Sequence, residues 1–360
     1  MNICLIGLPR SGKSSLFGAL TGLDPEAAAA KGAEPVAVVK VPDARVEMLA
    51  SVYKPKKKTL AAIEFSELAG LTSSEPGKAA FTEQALGKLR VADALLAVVR
   101  AFRDPTVAHP LETVDALRDL RHIESELLLA DLAIIESRLE RLVKQIAAKK
   151  SDRDVRERAA LERCRTFLEA ETPLRRAGLT PDEDLLLRSY RFLTLKPLIV
   201  ALNLDENDIS NEAEALHLFR PWLAGGSSAV IALSARLEME IRQLSEEDAR
   251  RFLQDYGIER PARAKLIATA YGLMGLVSFF TVGPDEVKAW TIRAGTPAVR
   301  AAGAIHSDIE RGFIRAEVTA YADFEAAGDM QVCKSNGTLR LEGKDYPVRD
   351  GDIINFRFAV

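Results

Sequence analysis

The run Gly7-Leu8-Pro9-Arg10-Ser11-Gly12-Lys13-Ser14 matches the spacing G-x-x-x-x-G-K-[ST] of a phosphate-binding loop. Glycines at these places let backbone N–H groups converge on one point, where they bind phosphate oxygens at a helix N-terminus. Lys13 is placed to reach β- and γ-phosphates, and the Ser14 hydroxyl to ligate Mg²⁺. The candidate phosphate-binding residues are therefore Gly7, Pro9, Arg10, Ser11, Gly12, Lys13, Ser14 and the following Ser15. A carboxylate at a neighbouring strand end would complete such a site. Ser66-Glu67-Leu68-Ala69-Gly70 falls at the C-terminal end of a strand expected at Thr59–Phe65.

This chemistry requires a strand before the loop and a helix after it. Ile3-Cys4-Leu5-Ile6 reads as a buried strand, and Ser15 to Leu20 as the first turns of a helix. Further strands are expected at Val36–Val41, Thr59–Phe65, Ala94–Val99, Leu198–Leu202 and Ala229–Leu233. Strands alternating with helices predict a mainly parallel α/β sheet, with ligands at the C-terminal strand ends. Pro42-Asp43 predicts a helix start, running through Leu49. The basic run Lys54-Pro55-Lys56-Lys57-Lys58 reads as a solvated loop.

From Leu111 the pattern becomes long helix. Leu128, Leu132, Ile135, Leu139, Leu142 and Ile146 repeat at spacings of four and three, the seam of a coiled coil. Lys149-Lys150-Ser151-Asp152 reads as its tip and Val155–Leu168 as the returning helix. The seam favours a protruding helical hairpin over a helix layer lying on the sheet. After Arg260-Pro261, strands at Val277–Val282, Val287–Arg293, Phe313–Tyr321 and Ile353–Phe358 are expected. Helices near Pro297–Ala304 and Asp323–Ala327 complete a separate α+β domain.

The 360 residues suffice for two or three domains. A hydrophobic fraction of 48% with 28% charged residues is ordinary for a soluble globular chain. The net charge of −3 excludes a polycation, so any nucleic-acid contact must be a local patch, and no DNA partner is expected. Three scattered cysteines and four scattered histidines point to a reducing compartment and no structural zinc. No signal peptide and no membrane span are expected, which makes the cytoplasm the expected compartment.

Beyond the loop, the chain resembles the YchF/Obg-like ATPase family, within the translation-factor class of P-loop GTPases. The most specific stretches are Val41-Pro42-Asp43-Ala44-Arg45, Lys54-Pro55-Lys56, Glu64 through Leu71, Val99-Arg100-Ala101-Phe102 and Gly283 through Thr291. Ala302 through Asp308, Glu310 through Val318 and Arg340 through Tyr346 add to them. The resemblance implies a G domain (1–110 and 192–270), a helical coiled-coil arm (111–191) and a ubiquitin-like β-grasp TGS domain (275–360). It also implies nucleotide hydrolysis and a ribosomal partner, with rRNA contacts through basic residues such as Arg311, Arg315, Lys344, Arg349 and Arg357.

The base pocket follows from the same resemblance. GTPases read guanine with the Asp of N-K-x-D; this family has N-x-x-E, here Asn203-Leu204-Asp205-Glu206. The resemblance thus implies that ATP is accepted, with GTP as the other possible ligand. Ser234-Ala235-Arg236 resembles the loop that closes over the base. Three departures stand out. Arg10 replaces the family's Asn, and Glu67 replaces the Asp of D-x-x-G, whose Gly is Gly70. No Ser or Thr lies between Thr21 and Ser51 to serve as the switch threonine. Leu71 stands where GTPases carry a catalytic glutamine. Lys13, Arg10 and Glu67 are the catalytic candidates, and Ser14 and Glu67 the metal candidates. Two readings follow: a slow ATPase acting as a translation switch, or a nucleotide-binding module that barely hydrolyses. A small-molecule kinase is a third, disfavoured by the C-terminal domain.

Overall fold

The computed structural model describes residues 1–23, 35–68, 81–149, 151–223 and 227–359. The chain divides into two units, one of residues 1–39 and 64–270, the other of residues 40–63 and 271–360.

The first unit is built on β1 (Asn2–Ile6), β2 (Val36–Lys40), β4 (Ala62–Glu67), β5 (Ala94–Arg100), β6 (Leu198–Asn203) and β7 (Ser228–Leu233), in the order β2-β4-β1-β5-β6-β7. Strands β4, β1, β5, β6 and β7 run parallel, as the alternating pattern requires. Every residue of β5 and β6 is buried, because helices cover both faces of a parallel sheet. The register pairs Leu5 with Glu67, Ile6 with Ala97, and Arg100 with Asn203. One sheet edge therefore carries Gly7, Leu68, Ala101, Leu204 and Ser234 as the residues leaving the strands.

The long helix spans Ala116–Ala148, starting after the expected Leu111 because Asp115 caps it, accepting from Arg118 N–H. Its first half is a layer on the sheet: Leu120, Ile123 and Leu127 join the core around β5 and β6. Its second half is the hairpin: Leu128, Ile135, Leu139 and Leu142 pack on Ala160, Leu161, Cys164 and Leu168 of the helix Asp152–Glu169. Both sequence alternatives thus describe part of one helix. Where the two halves meet, buried Asp131 accepts from the backbone of Leu193 and Thr194 and from the Thr194 hydroxyl.

The second unit holds β3 (Lys57–Thr59), β8 (Leu276–Thr281), β9 (Glu286–Arg293), β10 (Phe313–Ala320), β11 (Arg340–Glu342) and β12 (Asp352–Phe358), ordered β11-β10-β12-β8-β9-β3. Strands β8 and β12 are parallel, flanked by the antiparallel pairs β8–β9 and β10–β12. This is a β-grasp arrangement. Ala298, Ala301 and Ala302 of the helix Ala298–Ile305 pack on Phe279, Phe313, Val318 and Phe356.

The basic run is not a free loop. Lys57–Thr59 forms β3, parallel to β9. Lys56 pairs with Asp285, Lys57 with Glu286 and Lys58 with Glu47. Residues 40–63 group with the C-terminal unit, so the boundaries drawn from the sequence do not coincide with this division. The reason is side-chain chemistry. Arg45 pairs with Asp350 at 2.7 Å and lies over the Phe280 ring, and Tyr53 stacks on Phe324. Among the described residues, no helix is long and apolar enough to cross a membrane.

Candidate functional site

The loop after β1 turns on two glycines. At Gly7 a Cβ would lie 2.4 Å from the Val98 carbonyl oxygen, so only glycine lets the chain pass β5. Gly12 caps the helix Lys13–Thr21 with φ 89°, a left-handed conformation open to glycine. Lys13 is buried and its Nζ donates to the carbonyls of Gly7 and Leu8, both at 3.0 Å. Burial pulls its ammonium down to about 8, against the upward effect of Glu67. It is folded over the loop's own carbonyls, within the nest that would hold phosphate.

Glu67 ends β4, 6% exposed. Its Oε1 accepts from the Ser14 hydroxyl at 2.6 Å. Burial holds its carboxyl above the usual range, opposed by the Ser14 hydrogen bond and by Lys13. Oε2 is buried with no hydrogen-bond partner among the described residues, and so is Ser11 Oγ. An orphaned carboxylate oxygen beside a hydroxyl is a hard-oxygen donor set that fits Mg²⁺. Ser14 and Glu67 would hold the ion, and its charge would offset that of the phosphates.

Asn203 joins the loop to the rest of the site. It ends β6 and is 4% exposed. Its Nδ2 donates to the Ser11 carbonyl at 3.0 Å, and its Oδ1 accepts from Ala235 N–H at 2.9 Å. One side chain thereby fixes the phosphate loop and the start of the helix Ala235–Ile241. A cavity of about 590 Å³ opens at this joint, lined by Gly12, Ser15, Asn203, Leu204, Glu206, Ser234, Ala235 and Arg236 among others. A second cavity, about 610 Å³, lies between β4 and the helix Glu83–Val91 and shares only Glu67 with the predicted residues.

Of the sequence candidates, Gly7, Ser11, Gly12, Lys13, Ser14, Ser15, Glu67, Asn203, Leu204, Glu206, Ser234, Ala235 and Arg236 gather at this edge. Pro9 lies in the loop between them. Arg10 has φ 61° and is exposed, and its Nη1 donates to the Ala108 carbonyl at 3.1 Å, so it faces the segment after β5. Gly70 and Leu71 fall outside the described residues, as does residue range 24–34 of the expected switch segment.

The sequence reading missed one wall of the cavity: Phe102, Arg103, Asp104 and Pro105, with Met239 and Glu240 from the facing helix. Buried Arg100 builds that wall. It donates to the carbonyls of Phe102, Asp104 and Val107 and lies 4.4 Å from the Phe102 ring centroid. Further along, His109 meets Asp119 at 2.8 Å, tying the segment to the first turns of the long helix. The available signal was position: Ala101-Phe102 leaves a buried parallel strand at its C-terminal end, where ligands bind.

A family model named YchF-GTPase_C, described as a protein of unknown function (DUF933), matches residues 276–359. Over 362 residues the chain is 39% identical to the Ribosome-binding ATPase YchF of Bacillus subtilis (strain 168), covering 99% of this chain and 98% of that one. It is 34% identical to the Obg-like ATPase 1 of Caenorhabditis elegans, covering 99% and 92%. The solved structure of the Schizosaccharomyces pombe YchF GTPase matches with a TM-score of 0.86 at 30% identity, over 99% and 97% of the two chains. The matches run through both units, the arm and the strand ends that build the site. The chain belongs to the YchF/Obg-like ATPase family.

Proposed function

We propose that this chain is a P-loop NTPase that binds ATP at least as well as GTP, hydrolyses it slowly and acts as a switch on the ribosome. The observation that carries the nucleotide reading is the joint at Asn203. One buried amide holds the Gly7–Ser14 loop against a cavity large enough for a base. Phosphates would take the N–H groups of the loop. Lys13 would exchange the Gly7 and Leu8 carbonyls for phosphate oxygens, and the base would enter beside Phe102, Leu204 and Ala235. Names borne by the relatives, Ribosome-binding ATPase among them, support the ribosomal partner and hydrolysis.

Slow turnover rests on Glu67. In P-loop enzymes a carboxylate here steadies the Mg²⁺ water shell. Glutamate is one methylene longer than aspartate and here already bonds the Ser14 hydroxyl. In the same reading Arg10 leaves the Ala108 carbonyl and supplies a cis cation near the β/γ-phosphates. The second reading, a module that binds nucleotide without hydrolysing it, is favoured by that closed Ser14–Glu67 pair.

Single-turnover ATP hydrolysis by the native chain and Glu67→Asp, at saturating Mg²⁺, tests both readings: a module that binds without hydrolysing shows no turnover in the native chain. A faster Asp variant supports a slowed enzyme; equal or lower rates show a site adapted to glutamate. Ribosome association is tested by co-sedimentation at several salt concentrations, where phosphate contacts make pelleting salt-sensitive. The C-terminal basic residues are partly neutralised, since Arg311 pairs with Asp308 and Arg357 with Glu317. A modest salt slope is therefore expected.

A further inference from the structure

Glu206 and Arg236 meet at the cavity mouth. Arg236 Nε lies 3.5 Å from Glu206 Oε2 and 3.6 Å from Glu240 Oε1. Neither side chain reaches this place by chance of a long loop. Glu206 opens the helical turn directly after β6, where Asp205 caps the backbone of Asn207. Arg236 is the second residue of the helix Ala235–Ile241, whose first N–H is held by Asn203 Oδ1. Both residues, with Glu240, line the same cavity.

Guanine carries two adjacent donors, the N1–H and the 2-amino group. A carboxylate reads them by accepting one with each oxygen. Adenine offers a single exocyclic amine and has an acceptor at N1. A guanidinium beside one oxygen occupies one of its lone pairs and turns the carboxylate toward itself, so the group no longer presents both oxygens side by side to guanine's pair, while a single oxygen still serves adenine's amine.

We propose that Arg236 is a specificity-determining residue: by engaging one oxygen of Glu206 it withholds that carboxylate from guanine and tilts the site toward ATP. This rests on the nucleotide-binding reading and adds to it the residue that sets the choice of base. Arg236 is 75% exposed at its side chain, so the pair is one that salt weakens.

The test measures the affinity of the full chain for ATP and for GTP, in native, Arg236→Ala, Glu206→Gln and doubly substituted forms. Losing a cation at the mouth weakens both triphosphates alike, so the ratio of the two affinities is the readout. Arg236→Ala is expected to shift that ratio about fivefold toward GTP, roughly the worth of one ordinary hydrogen bond. In the Glu206→Gln background the same substitution is expected to leave the ratio unchanged. Raising the salt is expected to move the native ratio toward GTP and leave that of Arg236→Ala flat. A ratio that does not respond to Arg236→Ala, or responds equally without Glu206, overturns the proposal while leaving nucleotide binding intact. A native chain that binds neither triphosphate overturns both.

Discussion

Gly12 and Asn203 occupy each other's space: a Cβ on Gly12 would stand 2.2 Å from Asn203 Nδ2. The Gly7–Ser14 loop and the cavity beside Asn203 are therefore packed as one object, with no room for a side chain between them. Gly12→Ala must also force φ 89° on a residue with a Cβ. It is expected to displace Asn203 and to weaken ATP and GTP binding together by more than about tenfold. Calorimetric titration of both nucleotides checks this. Loss of one nucleotide alone would contradict a shared joint.

Asn203→Ala removes the same joint from the other side. Ser11 O and Ala235 N–H, both inside the protein, lose their partner. A cost of about 2 kcal/mol in unfolding free energy is expected, read by urea denaturation, together with weakened triphosphate binding.

Arg10→Ala tests the cis cation. Turnover is expected to fall while ATP affinity changes little, because a cation supplied in cis would act on charge that builds during transfer. Added potassium is not expected to be required by the native chain. Unchanged turnover would reduce Arg10 to its bond with Ala108.

The arm offers a stability test separate from the nucleotide. Ile135 is fully buried in the seam and Val143 is half exposed on the same helix. Ile135→Ala is expected to cost about 2–4 kcal/mol, and Val143→Ala within about 0.5 kcal/mol of nothing. Thermal and denaturant unfolding of the two variants measures the difference.

Cys164 gives a pH signature. Burial first, then the nearby Glu183, pushes its thiol from 9.0 up to about 11. The folded chain holds that proton more tightly than the unfolded chain. Its contribution to stability is complete below pH 9 and is lost as pH rises through 11. Alkylation of Cys164 at pH 8 is expected to be slow in the native chain and to accelerate on unfolding. Mass spectrometry of the labelled peptide reports it.

The legible parts of this protein were those whose meaning is local. Gly7 to Ser14 and the runs that became β5 and β6 carry their structure in adjacent residues. The placement of Asn203, Ser234 and Glu206 at strand ends was legible from a family motif. What stayed hidden depended on partners far along the chain. Lys57–Thr59 becomes a strand because Glu286–Lys288 lies beside it, and nothing in a run of lysines announces that pairing. The Phe102–Pro105 wall exists because Arg100, buried beneath it, gathers three carbonyls. The seam of the long helix was visible, yet the point where sheet layer becomes hairpin was not, since leucines serve both. Only Asp131, buried against Leu193 and Thr194, marks that change.

That helix is one unbroken rod of 33 residues, about 50 Å at 1.5 Å per residue. Its near end is tied through Asp119 and His109 to the segment that walls the cavity and meets Arg10. Its far end carries the hairpin. A rod held at one end converts rotation into travel. The near half is packed into the sheet core as far as Asp131, so a tilt of roughly 5° at Asp131 sweeps the far end at Ala148 through about 2 Å. The geometry is that of a gauge needle, in which a change too small to see at the pivot is legible at the tip.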